Sequence, residues 1–235
     1  MRNMLDGLVS FIYGCIAQEM GIILKHEGIM IWAIFLFLFV VWQIVAWEGY
    51  SSSPIDCLLS LEVWGILRSL VMLAGTLASY RYMSGGVWSA GLSEYHSGLE
   101  ESTSLNHCSY PFNHHSLFIL ALTEFSGSCV LTFLADKIFS NNFLINNDPE
   151  KYFSGSIFAF FVIIFVLLGM DISGAMFHPT LATLLLGGCK GQGALEHILV
   201  YWLAPISGVW SARWLQRLPT KDIPQSEKKK KLKSS

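Results

Sequence analysis

Residues 28–47 run for twenty positions without one charged side chain. Twenty helical residues span about 30 Å, the thickness of a bilayer's hydrocarbon core. A segment this long and this apolar constrains the chain to a membrane. Composition agrees, since 53% of the residues are hydrophobic, only 14% are charged, and the charges gather at a few places. Five further stretches are expected to span, at 5–24, 63–89, 116–135, 153–170 and 195–214. The stretch 5–24 carries Asp6 and Glu19, 63–89 carries Arg68 and Arg81, and 116–135 carries Glu124, while the last two read as spans directly.

Two loops that follow long apolar spans share one pattern, Gly49-Tyr50-Ser51-Ser52-Ser53-Pro54 and Gly174-Ala175-Met176-Phe177-His178-Pro179, with glycine five residues before proline. About ten mostly apolar residues follow each. Proline fits the first turn of a helix and Ser is a strong N-cap, so each copy reads as a re-entrant loop that starts a short helix inside an apolar region. Splitting the chain into residues 1–114 and 115–218 leaves three spans and one such loop in each half. An odd number of spans inserts the second half upside down, and inverted repeats of this kind bring their interrupted segments together at the bilayer midplane. The expected fold is therefore an all-α membrane protein with six transmembrane helices and two re-entrant half-helices in an inverted 3+3 repeat.

Non-helical backbone at membrane depth is tolerated only where protein or water satisfies its polar groups. A carboxylate inside a span is costly and calls for a partner in the protein interior. Asp6 and Glu124 are the acids in the opening spans of the two halves, so each is expected to support the loop of its own half. Arg68 and Arg81 are expected to snorkel or to pair with Glu62 or Glu48.

The distribution of basic residues orients the chain. Lysines and arginines crowd the segment after the last span, including Lys228, Lys229, Lys230, Lys231 and Lys233, whereas residues 91–115 hold none. By the positive-inside rule that segment and the N-terminus are cytoplasmic. The first apolar stretch lacks a small-residue cleavage site and is expected to stay as a span. Residues 219–235 read as a disordered basic tail. Lys231 and Lys233 have the spacing of a dilysine signal for retrieval to the endoplasmic reticulum, and attraction to anionic lipid is the other reading of such a cluster. Among the cysteines, Cys15, Cys57 and Cys129 read as buried thiols. Only Cys108 and Cys189 are placed to share an oxidising compartment, where a bridge between them or between subunits is open to them.

The stretches 174–182 (Gly-Ala-Met-Phe-His-Pro-Thr-Leu-Ala) and 200–205 (Val-Tyr-Trp-Leu-Ala-Pro), together with 88–96, resemble the aquaporin family, and specifically its unorthodox intracellular superaquaporin branch. The resemblance covers nearly the whole chain and is weakest before Ile29. It implies passive conduction of water or small neutral solutes such as glycerol or hydrogen peroxide, with no catalysis and no cofactor. It also implies a homotetramer with one pore per subunit in an internal membrane such as the endoplasmic reticulum, the plasma membrane being the alternative.

The family's two pore asparagines are replaced, by Ser53 in Ser53-Pro54-Ile55 and by His178 in His178-Pro179-Thr180. Serine keeps an N-cap acceptor and a rotatable hydroxyl, so it is read as a conservative substitute, and histidine is not. The positive ends of two half-helices disfavour an imidazolium between them, so His178 is expected to be neutral near pH 7. Counting from the motifs, the resemblance places a second constriction at Ala33, Val166, Ala175 and Leu181. All four are apolar, and Leu181 stands where the family usually has an arginine. A hydrophobic constriction can gate by dewetting, which favours glycerol, peroxide or slow water over a strict water channel.

Two rival functions remain. In one the altered motifs have closed the pore and the protein is structural or regulatory. In the other, His107, Cys108, His114 and His115 bind a metal in a membrane hydrolase with Glu94, Glu100 or Glu101 as base, although their spacing matches no common site. Nucleic acid is not an expected partner.

Overall fold

The computed structural model describes residues 2–47, 53–91, 94–96, 110–139 and 148–218. Helices α1 (Arg2–Glu27) and α2 (Ile29–Ala46) are separated at Gly28, whose φ of 82° is left-handed. The short α3 (Ile55–Leu59) precedes α4 (Val63–Tyr82), which widens into a π turn at Met83–Trp88. The second half holds α5 (Leu117–Phe139), α6 (Asp148–Ser173) and α7 (Pro179–Leu186). A last helical run joins α8 (Ala194–Ile198), a π turn at Leu199–Leu203 and α9 (Ala204–Arg217). No β-strand occurs among the described residues.

Five helices are long and apolar enough to cross a membrane: Met4–Glu27, Ile29–Ala46, Val63–Trp88, Leu117–Phe139 and Glu150–Ser173. The last run occupies the place of the expected sixth span, yet it is less apolar than a direct reading of 195–214 allows. It opens on Glu196 and carries Ser207, Ser211 and Arg213. Ala204, Pro205, Gly208, Val209 and Ala212 are buried on one face, and Leu203, Trp210 and Trp214 are exposed on the other. The π turn just before this face has a local cause, because the ring of Pro205 crowds the carbonyl one turn back and supplies no N–H of its own.

The two most extensive helix contacts are α1 with α4 and α5 with α9, the same pairing of first and third spans in each half. The halves meet through α2 and α6, through α3 on α9 and through α7 on α4. Each of these cross-contacts has its counterpart under exchange of the halves, as an inverted repeat requires. Close approach makes both intra-half pairs possible. A Cβ on Gly75 would fall on the carbonyl of Gly7, and one on Gly208 would fall on the carbonyl of Phe125. Small residues at such crossings let helices pack tightly in lipid, where burial of apolar surface gives no advantage.

Gly75→Leu is therefore expected to destabilise the protein by about 1–3 kcal/mol through overpacking, read as a lower thermal unfolding midpoint in detergent. Gly21→Ala, where nothing lies within 4 Å of the added carbon, should cause no such loss.

Candidate functional site

After α6 ends at Ser173 the backbone turns left-handed at Gly174 (φ 84°), Ala175 (φ 48°) and Phe177 (φ 47°). It then passes through an extended His178 into α7. Left-handed conformations cost about 1–2 kcal/mol for residues with a Cβ, so the loop needs an external hold. Glu124 of α5, with no exposed surface, provides it. Its Oε1 accepts the hydroxyl of Ser173 at 2.7 Å and the N–H of Met176 at 3.0 Å. Its Oε2 accepts the N–H of Phe177 at 2.7 Å. Gly127 completes the seat, since a Cβ there would fall on the ring of Phe177.

The network continues outward. The Tyr201 hydroxyl, carried on the π turn, donates to the carbonyl of Ser173 at 2.7 Å and meets the Tyr110 hydroxyl at 2.9 Å. Because the single proton of Tyr201 is committed to that carbonyl, Tyr110 donates to Tyr201. Burial holds the Tyr110 phenol above its ordinary pKa, so it remains a donor at physiological pH. The Tyr110 N–H in turn donates to the carbonyl of Lys190 at 2.8 Å, which ties the segment before α5 to the exit of α7. Beside it Cys189 is disulfide-bonded. Cys15, Cys57 and Cys129 are free thiols, and Cys108 lies outside the described residues.

His178 is buried at the start of α7, where its Nδ1 accepts the N–H of Leu181 at 3.3 Å and lies 3.1 Å from the Thr180 hydroxyl. A backbone N–H can only donate, so Nδ1 carries no proton and the neutral ring holds its proton at Nε2. The histidine thus keeps the capping role of an N-cap side chain, which corrects the view that only serine preserves it. Its ring stacks on Tyr13 of α1, with centroids 4.9 Å apart and planes 19° from parallel. Pro179 and Thr180 are fully buried behind it.

The first motif is built differently. Ser53 Oγ accepts the N–H of Ile55 at 3.4 Å, and the buried Pro54 presents its carbonyl to Leu58 at 2.9 Å and to the Ser69 hydroxyl at 3.3 Å. The helix that follows has only 5 residues, not the ten or so that the apolar run suggests. It stops because the Ser60 hydroxyl takes the Cys57 carbonyl at 2.7 Å and Leu61 turns left-handed at φ 53°. Arg213 of α9 pins its start through Asp56 at 2.6 Å. Residues 48–52 of this loop lie outside the described residues.

Asp6 is fully buried and takes Nε and Nη2 of Arg68 on one oxygen, at 2.9 and 2.7 Å. Arg68 therefore pairs with Asp6 on α1, not with Glu62, while Glu48 lies outside the described residues. Two half-buried candidates, Ala33 on α2 and Val166 on α6, lie on spans of different halves. Leu181 is half-buried in the first turn of α7. Ala175 is buried, with its methyl about where a side chain on Gly169 of α6 would be, so the methyl meets protein. Among the described residues no group of three or more His, Cys, Asp or Glu is placed to hold a metal. His107, Cys108, Glu100 and Glu101 lie outside them.

Four residues of the site escaped the sequence reading: Tyr13, Gly127, Ser173 and Tyr201. Ser173 abuts the motif glycine and Tyr201 lies in a stretch already singled out, so both had a local signal. Tyr13 and Gly127 had none, because their roles exist only across helix contacts.

Fold and site together define an all-helical protein with five helices long and apolar enough to cross a membrane, and an irregular loop at 174–178 that starts a short helix. The chain is 27% identical over 213 residues to aquaporin-11 of Homo sapiens, covering 87% of this chain and 73% of that protein. It is 28% identical over 167 residues to aquaporin-11 of Equus caballus, spanning 68% of this chain and 56% of that relative's length. Aquaporin-11 of Milnesium tardigradum is 24% identical over 198 residues, or 81% of this chain and 66% of the relative. No family model matches the chain, and no solved structure matches it. These similarities support placing the chain with the aquaporin family, in its superaquaporin branch.

Glu124→Gln leaves one oxygen and turns an amide donor toward a backbone donor. Leaving such a group unsatisfied is expected to cost about 1–3 kcal/mol, and Glu124→Ala, which strands all three donors, more than Glu124→Gln. Unfolding midpoints of the purified variants check the ordering.

Proposed function

We propose that this protein is a passive channel for water and small neutral solutes such as glycerol or hydrogen peroxide. The pathway runs between the half-helix starts Ser53-Pro54-Ile55 and His178-Pro179-Thr180. The observation that carries this reading is the loop at 174–178, whose irregular backbone is held by Glu124 so that the positive end of α7 points into the protein at membrane depth. Irregular backbone in a membrane belongs where protein or a water-filled cavity meets it, and a helix N-terminus there repels cations and protons. Ala33, Val166, Ala175 and Leu181 form the second constriction in this reading, with Asp6 and Glu124 as loop supports. The units are the half-repeats 1–114 and 115–218 with a basic tail at 219–235. The protein catalyses no reaction and assembles as a homotetramer in an internal membrane, the endoplasmic reticulum first, with both termini cytoplasmic. Retrieval through Lys231 and Lys233 and a Cys108–Cys189 bridge belong to the same proposal.

A second reading, a closed pore kept for a structural or regulatory role, is favoured by one observation. The rings of Tyr13 and His178 are stacked at the start of α7, beside the proposed pathway.

Stopped-flow shrinkage of proteoliposomes after an osmotic step separates the two. Water flux above that of empty liposomes at pH 7.5 is expected, and its absence for water, glycerol and peroxide alike would favour the closed pore. Flux should fall at pH 5.5, because an imidazolium donates from both nitrogens and can no longer accept the Leu181 N–H that caps α7. His178→Asn, which retains a capping acceptor and cannot protonate there, should flatten that fall.

A further inference from the structure

Tyr13 lies about 17 Å along a helix that runs about 39 Å, since α1 has 26 residues beginning at Arg2. That places it near the middle of the span. On one side its ring meets Phe39 at 5.4 Å and Trp47 at 6.5 Å, both from the first half of the chain. On another side it stacks on His178, which begins the half-helix of the second half. One side chain is therefore held between the two halves at the level where α7 starts.

Its polar atom is the informative one. Among the described residues no group hydrogen-bonds the Tyr13 hydroxyl, and the residue is only half-buried. A hydroxyl left in an apolar setting without a partner is costly, so a mid-span tyrosine with none among the described residues is suited to meet water or solute. His178 cannot serve as an acceptor through Nδ1, which is already taken by Leu181 N–H.

We propose that Tyr13 determines what passes the centre of the channel: its ring, stacked on His178, narrows the lumen where α7 begins, and its hydroxyl is the group that a passing solute hydrogen-bonds. This rests on the channel reading above. It assigns a solute-contacting role to a residue outside both motifs and outside the four constriction positions. It also gives the first half a direct part in a site otherwise made by the second loop. A planar ring closing one side of the path excludes polyols more strongly than water, so ring size at position 13 sets the solute class.

The test uses the full chain in proteoliposomes, with water and glycerol permeabilities measured for the wild type, Tyr13→Phe and Tyr13→Ala. Tyr13→Ala should raise glycerol permeability several-fold. Tyr13→Phe should leave glycerol permeability near the wild-type value while lowering water flux about threefold, the scale of one net hydrogen bond. A silent wild type beside a conducting Tyr13→Ala also supports the proposal, with the ring closing the path. If the wild type conducts and neither variant differs from it, the proposal is overturned and the channel reading stands. If all three are folded and silent, both fall.

Tyr13→Cys gives a readout that does not depend on flux. A small hydrophilic thiol reagent added to proteoliposomes should label one site beyond the wild-type background from Cys15, Cys57 and Cys129. Absence of that extra label in folded protein overturns the lumen-facing placement.

Discussion

Backbone that leaves the helix inside a membrane must find partners for its N–H groups, and here the partner is one carboxylate. Glu124 takes the N–H groups of Met176 and Phe177 together with the Ser173 hydroxyl. That hold lets Ala175 and Phe177 keep left-handed backbones, and through them it fixes where His178 and α7 begin. Lipid gives water no access to compensate a missing partner. The carboxylate cannot therefore be exchanged for an apolar residue without releasing the whole loop. Ser173 carries the same constraint outward through Tyr201 and Tyr110 to the exit of α7, so the loop is held at its base as well as at its turn.

The two halves repeat their helix pairing, and each keeps a buried acid on its first span. In the second half the buried acid is spent on the re-entrant loop. In the first, Asp6 takes the guanidinium of Arg68, and the short α3 is anchored by Ser69 beneath it and by Arg213 from the other half. A buried pair left without one partner is costly, so Asp6 and Arg68 have to be kept or lost together. The stub of five helical residues and the full α7 make the two entrances to the midplane unequal. His178, Tyr13 and the longer helix dipole are concentrated on the second-half side.

Much of this was legible in the linear chain. The uncharged run at 28–47, the spacing of the other spans and the paired Gly-to-Pro loops specify an all-helical membrane fold, because bilayer thickness and the need to satisfy backbone groups leave few alternatives. Glu124 was legible for the same reason, as a charge in mid-span next to a predicted irregular loop. The ion pair of Arg68 was misplaced, since acids near it in sequence drew attention while its partner lies on α1. The short first half-helix was missed because apolar composition says where a helix can run, and the Ser60 bond to Cys57 that ends it is a local competition composition does not register.

The sequence by itself determined the setting and the layout: a membrane chain of repeated spans, two interrupted segments, and two positions where the family's asparagines are absent. Only the tertiary structure decided how those positions are used. His178 becomes a cap because its Nδ1 reaches the N–H three residues on, while its ring finds Tyr13 on a helix 165 positions earlier in the chain. Hydropathy and spacing report what each residue avoids and how far apart residues lie along one strand of chain. Which two rings share a space is set by helix crossings, and those depend on small residues such as Gly75 and Gly208 whose partners no linear pattern names.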